Sequence, residues 1–246
     1  MNYKLTYIIP CYFNEENIPV TSKELIKNEA NFNSNIKFEY ILVDDGSKDK
    51  TYKELLKFKA HFPNKVKVIK LSGNFGSFNA ILAGMSYSTG DCNVIFTADL
   101  QDPPELVPKM IKYWEQGIKL VIANREKKED GIIQKTFSNL YHNSIRLFAL
   151  KNIPKGGFDI ILFDKQILKE VVKINPKNTN LSYFISSLKY DYASISYTKK
   201  ARKLGKSKWT LSKKINLVID SFVSFSYLPL RIISIFGLLF GLLAIV

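Results

Sequence analysis

Four clusters of polar and acidic residues each stand directly behind an apolar run: Pro10-Cys11-Tyr12-Phe13-Asn14-Glu15-Glu16, Asp44-Asp45-Gly46-Ser47, Ser72-Gly73-Asn74-Phe75-Gly76 and Asp99-Leu100-Gln101-Asp102. Carboxylates and amide oxygens are the ligands a hard cation such as Mg²⁺ or Mn²⁺ prefers, and such a cation can bridge a carboxylate to a diphosphate. Taken singly, Asp-Asp-Gly-Ser makes a good turn and helix cap, and Gly-Asn-Phe-Gly a tight turn. Asp-Leu-Gln-Asp-Pro-Pro can simply cap a helix. Their recurrence at successive strand ends argues for one shared crevice. Other chemistries are poorly supplied. Two histidines, His61 and His142, and two cysteines, Cys11 and Cys92, give neither a Cys/His zinc spacing nor a disulfide framework.

The elements that would carry these clusters alternate. Strands are expected at Lys4–Ile9, Phe38–Val43, Val66–Leu71, Cys92–Thr97 and Leu120–Ala123, and helices at Asn17–Asn31, Thr51–Phe62 and Phe75–Tyr87. A further helix opens at Pro103-Pro104-Glu105, because proline is tolerated in a first turn. Such alternation means a parallel sheet covered on both faces, with ligands beyond the carboxyl ends of its strands. The second half reads as a helix over Lys135–Leu150, a strand over Phe158–Phe163, a helix over Lys165–Lys173 and an edge strand over Ser194–Thr198. A basic loop, Lys199 to Lys208, follows. Leu211–Leu228 reads as a basic amphipathic helix lying in a membrane interface.

Charge is placed unevenly. Residues 1–124 hold 15 Lys/Arg against 14 Asp/Glu and residues 125–231 hold 21 against 8, so nearly all of the net +14 lies in the second half. That half suits an anionic partner: nucleic acid, an acidic membrane surface or phosphate substrates. It leads into an uncharged run, Ile232 to Val246, which as a helix reaches about 22 Å against a hydrocarbon core of roughly 30 Å. The run is expected to be the start of a transmembrane helix cut short, with Arg231 on the cytoplasmic side. No basic and apolar leader occupies Met1 to Pro10, so a catalytic domain facing the cytoplasm is the default.

Two nucleotide motifs fail. Gly205-Lys206-Ser207 mimics the end of a P-loop, but Lys200 stands where the first glycine is required. Pro10 to Glu16 holds no glycine for a dinucleotide fingerprint. A nucleic-acid-binding protein is set aside because the basic residues are not interleaved with stacking aromatics on a recognisable module.

In order, the chain resembles the inverting GT-A-type glycosyltransferases of the dolichyl-phosphate mannose synthase and bacterial polyprenyl-phosphate glucosyltransferase kind. The resemblance runs through Ile8 to Glu16, Val43 to Thr51, Leu71 to Gly76, Ala98 to Glu105, Arg202 to Lys208 and Pro229-Leu230-Arg231. It implies a Rossmann-like α/β GT-A fold with a mixed, mostly parallel sheet over residues 1–209, an amphipathic interfacial helix over 210–230 and a transmembrane start over 231–246. The implied reaction moves one sugar from a nucleotide-sugar, a uridine-diphosphate hexose, to polyprenyl (undecaprenyl) phosphate at the inner (cytoplasmic) membrane, assisted by Mg²⁺ or Mn²⁺. Pro10, Tyr12, Glu15 and Asp44 would line the nucleotide pocket, Asp44 reading the base, with Asp45 and Asn74 close by. Asp99 would bind metal and diphosphate, with Gln101 as second ligand. Arg125, Arg202, Ser207 and Lys208 would hold the acceptor phosphate, and Asp159 would face the reacting centre. The family often carries Asp-Ala-Asp where this chain has Thr97-Ala98-Asp99, which leaves Asp102 or water to complete the metal shell. The Gln-x-x-Arg-Trp motif of processive synthases is absent, which favours addition of a single sugar. A hydroxyl acceptor, with Asp159 as base, is the alternative. Oligomeric state, a homo-oligomer included, is left open.

Overall fold

The fold is that of a computed structural model, which describes residues 2–33, 35–127, 158, 160–176, 179–200, 219–220 and 228–243. In chain order the elements are β1 (Tyr3–Cys11), α1 (Ile18–Asn28), β2 (Ile36–Asp44), α2 (Thr51–His61), β3 (Val66–Lys70), α3 (Ser77–Ser86) and β4 (Cys92–Ile95). There follow α4 (Leu106–Glu115), β5 (Leu120–Lys127), β6 (Ile160–Asp164), α5 (Lys165–Ile174), α6 (Leu181–Ser187), β7 (Tyr192–Thr198) and α7 (Leu228–Leu243).

The strands form one sheet of order β3-β2-β1-β4-β6-β5-β7. β1 pairs in parallel with β2 and β4, and β2 with β3. β6 is inserted antiparallel to both β4 and β5, and β7 runs parallel to β5 at the edge. β1 to β5 therefore share one direction, as the alternation of strands and helices requires, and β6 makes the sheet mixed. Their carboxyl ends and the start of β6 open on the same rim.

Alternate residues of the central strands pack on opposite faces of the sheet, the signature of a sheet covered on both sides. Leu5, Tyr7 and Ile9 of β1 pack with Leu25 of α1, Leu55 and Phe58 of α2 and Met110 of α4. Ile8 faces the other way, toward Ile81 and Met85 of α3 and Ile167 and Val171 of α5. Helix α3 lies so close to the sheet that a Cβ on Gly84 would sit 2.7 Å from Ile8 Cγ2. α5 starts where Asp164 accepts a hydrogen bond from the Gln166 backbone, and stops at Asn175 in a left-handed conformation.

The expected strand over Phe158–Phe163 begins later, at Ile160. The helix α6 has no counterpart in the sequence reading, because its seven residues are too few to show a helical period. The helix expected at Lys135–Leu150 lies outside the described residues, as does nearly all of Leu211–Leu228. α7 begins at Leu228, ahead of the expected boundary at 231, and leaves Ile233, Ile235, Phe236, Leu238 and Phe240 more than half exposed. Among the described residues no helix is long and apolar enough to cross a membrane.

Candidate active site

The rim holds the sequence clusters together through their own backbone. Asp45 N donates to Cys11 O at 2.9 Å and Leu71 N to Asp44 O at 2.9 Å, so the ends of β1, β2 and β3 are joined. The loop after β1 is then fastened to the loop after β2: Phe13 N donates to Ser47 Oγ (3.1 Å), Asn14 N to Thr51 Oγ1 (2.7 Å) and Lys50 N to Glu15 Oε2 (2.8 Å). Phe13 takes a positive φ of 53°, a costly conformation for a bulky residue that these bonds enforce. Gly46 is required twice over. Its φ is +69°, and a Cβ there would lie 2.5 Å from the Gly73 carbonyl carbon.

Asp44 and Asp45, adjacent in sequence, are put to different uses. Asp45 is buried and accepts from Phe75 N at 2.7 Å and Gly76 N at 2.9 Å, one bond to each carboxylate oxygen. It thereby shapes the loop that carries Asn74, which is exposed. Asp44 is completely buried; its Oδ1 accepts from Ser47 N at 3.2 Å, and its Oδ2 has no hydrogen-bond partner among the described residues. An orphaned buried carboxylate oxygen asks for a donor. The neighbouring Cys11 thiol, pushed up by burial and by the Asp44 charge, stays protonated. Lys70, the register partner of Asp44, lies 4.5 Å over the Tyr52 ring. Pro10, Tyr12 and Glu15 line the same rim half-buried, with Tyr12 edge-on to Phe13.

The fourth cluster closes the crevice. Asp99 is half-buried and its Oδ1 accepts from Gln101 N at 3.3 Å, across Leu100 with φ of +52°. Gln101 Nε2 points to Lys200 O at 3.4 Å, so its Oε1 is the end that can meet a cation. From α1, Thr21 Oγ1 donates to Ala98 O (2.8 Å) and Asn28 Nδ2 to Pro104 O (2.9 Å), which hold the loop from behind. Asp102 does not face the crevice as a spare metal ligand. It is completely buried, accepting from Thr97 Oγ1 at 2.8 Å and from Tyr197 OH at 2.5 Å, with Lys199 Nζ at 3.6 Å. The Thr97 hydroxyl is engaged in the same way. Among the described residues no group of three or more His, Cys, Asp or Glu side chains could hold a metal ion.

Arg125 is half-buried near the end of β5, with Tyr197 as its register partner and a register irregularity directly after it. Asp159, Arg202, Ser207 and Lys208 lie outside the described residues; Asp159 immediately precedes Ile160, which pairs with Ala123 two residues before Arg125. Sequence reasoning missed Thr21, Asn28, Tyr197 and Lys199. Only Tyr197 left a signal: Ala193, Ile195 and Tyr197 are the inward phase of a period-two strand.

A mostly parallel α/β sheet with polar and acidic loops along the carboxyl ends of its strands is an arrangement that binds ligands in the crevice beyond those ends. Residues 6–172 match the model of glycosyl transferase family 2, and the chain belongs to that family. The uncharacterized glycosyltransferase YkcC of Bacillus subtilis is 31% identical over 94% of this chain and 71% of its own. An undecaprenyl-phosphate 4-deoxy-4-formamido-L-arabinose transferase of Pectobacterium atrosepticum is 30% identical over 95% and 71%. The glucosyl-3-phosphoglycerate synthase of Mycobacterium tuberculosis, solved with Mn²⁺ and UDP-glucose, superposes with a TM-score of 0.61 at 15% identity, covering 88% of this chain and 76% of that one. The mannosyltransferase of Pyrobaculum calidifontis, solved with GDP-mannose and Mn²⁺, gives 0.56 at 16%, covering 83% and 59%. These likenesses establish the GT-A fold, and the chain is a glycosyltransferase.

Proposed function

We propose that this glycosyltransferase moves a single hexose from a uridine-diphosphate sugar to polyprenyl phosphate, inverting the anomeric carbon and releasing the nucleoside diphosphate. The observation that carries this reading is the 30% identity, over 95% of the chain, to a relative named for transfer to undecaprenyl phosphate. The orphaned Asp44 oxygen supports the donor half: an N–H of a bound pyrimidine would satisfy it, between Pro10, Tyr12 and Glu15.

Asp99 and the Oε1 of Gln101 fit Mg²⁺ or Mn²⁺. One carboxylate and one amide oxygen, with the remaining shell left to water and substrate phosphate, is how such ions sit in phosphate-transfer sites. Once bound, the cation supplies charge neutralisation on the leaving diphosphate. The acceptor needs little activation, because a phosphate monoester with a second pKa of about 6 is already anionic near pH 7. Catalysis then rests on placement and on cationic side chains. Arg125, Arg202, Ser207 and Lys208 hold the acceptor phosphate, and Asp159 faces the reacting centre. The exposed apolar surface of α7 and the basic second half support a crevice held at the cytoplasmic face of the inner membrane. In this reading residues 1–209 are the catalytic unit and 210–246 the membrane-facing part.

The test is incubation of detergent-purified protein with undecaprenyl phosphate and a panel of nucleotide-sugars, with Mg²⁺ or Mn²⁺ and with chelator, products read by mass. A glycosyl-phosphoryl-lipid from one donor supports the reading. Transfer to a hydroxyl acceptor with none to phosphate overturns its acceptor half.

A further inference from the structure

Asp102 is a buried acid on the rim engaged by three side chains, and none of the reaction steps above uses it. Its carboxylate joins three elements: Thr97 at the exit of β4, Tyr197 near the end of β7 and Lys199 just beyond it. Backbone bonds run in parallel, with Lys200 N donating to Gln101 O at 2.9 Å and Gln101 Nε2 reaching Lys200 O at 3.4 Å. The loop so fastened carries Asp99. The strand it is fastened to pairs Tyr197 with Arg125 and continues into the basic stretch Lys199 to Lys208.

β7 is an edge strand, and β5 is its only pairing partner in the sheet of described residues. An edge strand paired on one side is a low-stability element unless something else secures it. The Asp102 brace does this on the crevice side. It also explains why Thr97 is tolerated. A carboxylate at position 97 would meet the buried carboxylate of Asp102, whereas the Thr97 hydroxyl donates to it.

We infer that Asp102 is a positioning residue that, through Tyr197 and Lys199, couples the Asp99–Gln101 loop to the β5–β7 edge, so that an occupied donor site orders the acceptor side. The two sides are named as the proposed function names them, and the inference rests on that reading.

The experiment is hydrogen–deuterium exchange on the full chain in detergent, for wild type, Tyr197→Phe and Asp102→Asn, without ligand and with UDP plus Mn²⁺. Without ligand, both variants should exchange about 10–100-fold faster than wild type in residues 97–102 and 192–200, as expected for loss of a bond to a buried charge. With UDP and Mn²⁺, wild type should gain protection in both stretches. Tyr197→Phe should gain it in 97–102 alone, with UDP affinity within about threefold of wild type, which a merely structural defect would not produce. Equal protection of 192–200 in wild type and Tyr197→Phe overturns the coupling. Unchanged ligand-free exchange in both variants overturns the brace itself. The proposed acceptor fails separately, in the product assay, and its failure alters neither exchange result.

Discussion

Replacing Asp45 by asparagine exchanges one carboxylate oxygen for an amide group while preserving shape. In the native crevice both oxygens accept backbone N–H groups, from Phe75 at 2.7 Å and Gly76 at 2.9 Å, and the residue is 3% exposed. A hydrogen bond to an ionised group contributes about 1.5–3 kcal/mol. The substituted side chain keeps one such bond in neutral form and turns an N–H₂ donor against the other N–H. The cost is about 2–4 kcal/mol, which for a chain of this size lowers the thermal midpoint by roughly 4–16 °C. The neighbouring change, Asp44→Asn, has the opposite profile. Its Oδ1 keeps Ser47 N, and its Oδ2 has no partner to lose among the described residues, so stability should change by about 1 kcal/mol or less. UDP binding should instead weaken about 10–100-fold, because an acceptor for the base N–H becomes a donor. Thermal denaturation at one scan rate, with calorimetric titration of UDP in Mn²⁺, separates the two. Equal midpoints for Asp45→Asn and wild type, or unimpaired UDP binding by Asp44→Asn, refute the division of labour drawn from the hydrogen bonds.

Other changes test other parts of the molecule. Gly46→Ala should cost about 3 kcal/mol or more and block folding or lower the midpoint by roughly 6–12 °C, since the turn needs a positive φ and the Gly73 backbone occupies the Cβ position. Burial alone would raise the Glu39 carboxyl, but hydrogen bonds from Lys67, Thr89 and Thr6 hold it below its ordinary 4.5. A depressed folded pKa contributes stability that is present above the unfolded value and is lost as pH falls through the folded one. Melting from pH 6 down to 3 should therefore fall more steeply for wild type than for Glu39→Gln; parallel curves contradict the assignment. Asp99→Ala should abolish sugar transfer in the mass assay, whereas near-normal turnover would remove it from the site. Phe236→Glu with Phe240→Glu should release the protein from anionic vesicles in a sedimentation assay, because both rings are more than half exposed on α7.

The rim was legible in the sequence for a local reason. Each cluster follows its own strand, so apolar runs and turn residues mark both at once, and β1 to β5 and the four loops behind the first four strands fall where those signals put them. The insertion of β6 between β4 and β5 carries no such mark, because strand order is decided by contacts between residues roughly seventy apart, such as Ile95 with Ile161. Asp102 illustrates the same limit within the site. Beside Asp99 and Gln101 its residue type suggests a third metal ligand. What decides otherwise is Tyr197, 95 residues downstream, whose hydroxyl takes the carboxylate into the core. Asp44 and Asp45 are alike in type and neighbours in sequence, so nothing local assigns one to the loop and the other to a ligand. Asp44 is the last residue of β2 and Asp45 lies just beyond it, where the β3–α3 loop, folding back over Gly46, supplies the two N–H groups that engage Asp45. In this chain Asp45 and Asp102 are spent on building the rim, whereas Asp44 keeps one carboxylate oxygen without a hydrogen-bond partner among the described residues. That distinction is a property of the assembled rim rather than of any motif within it.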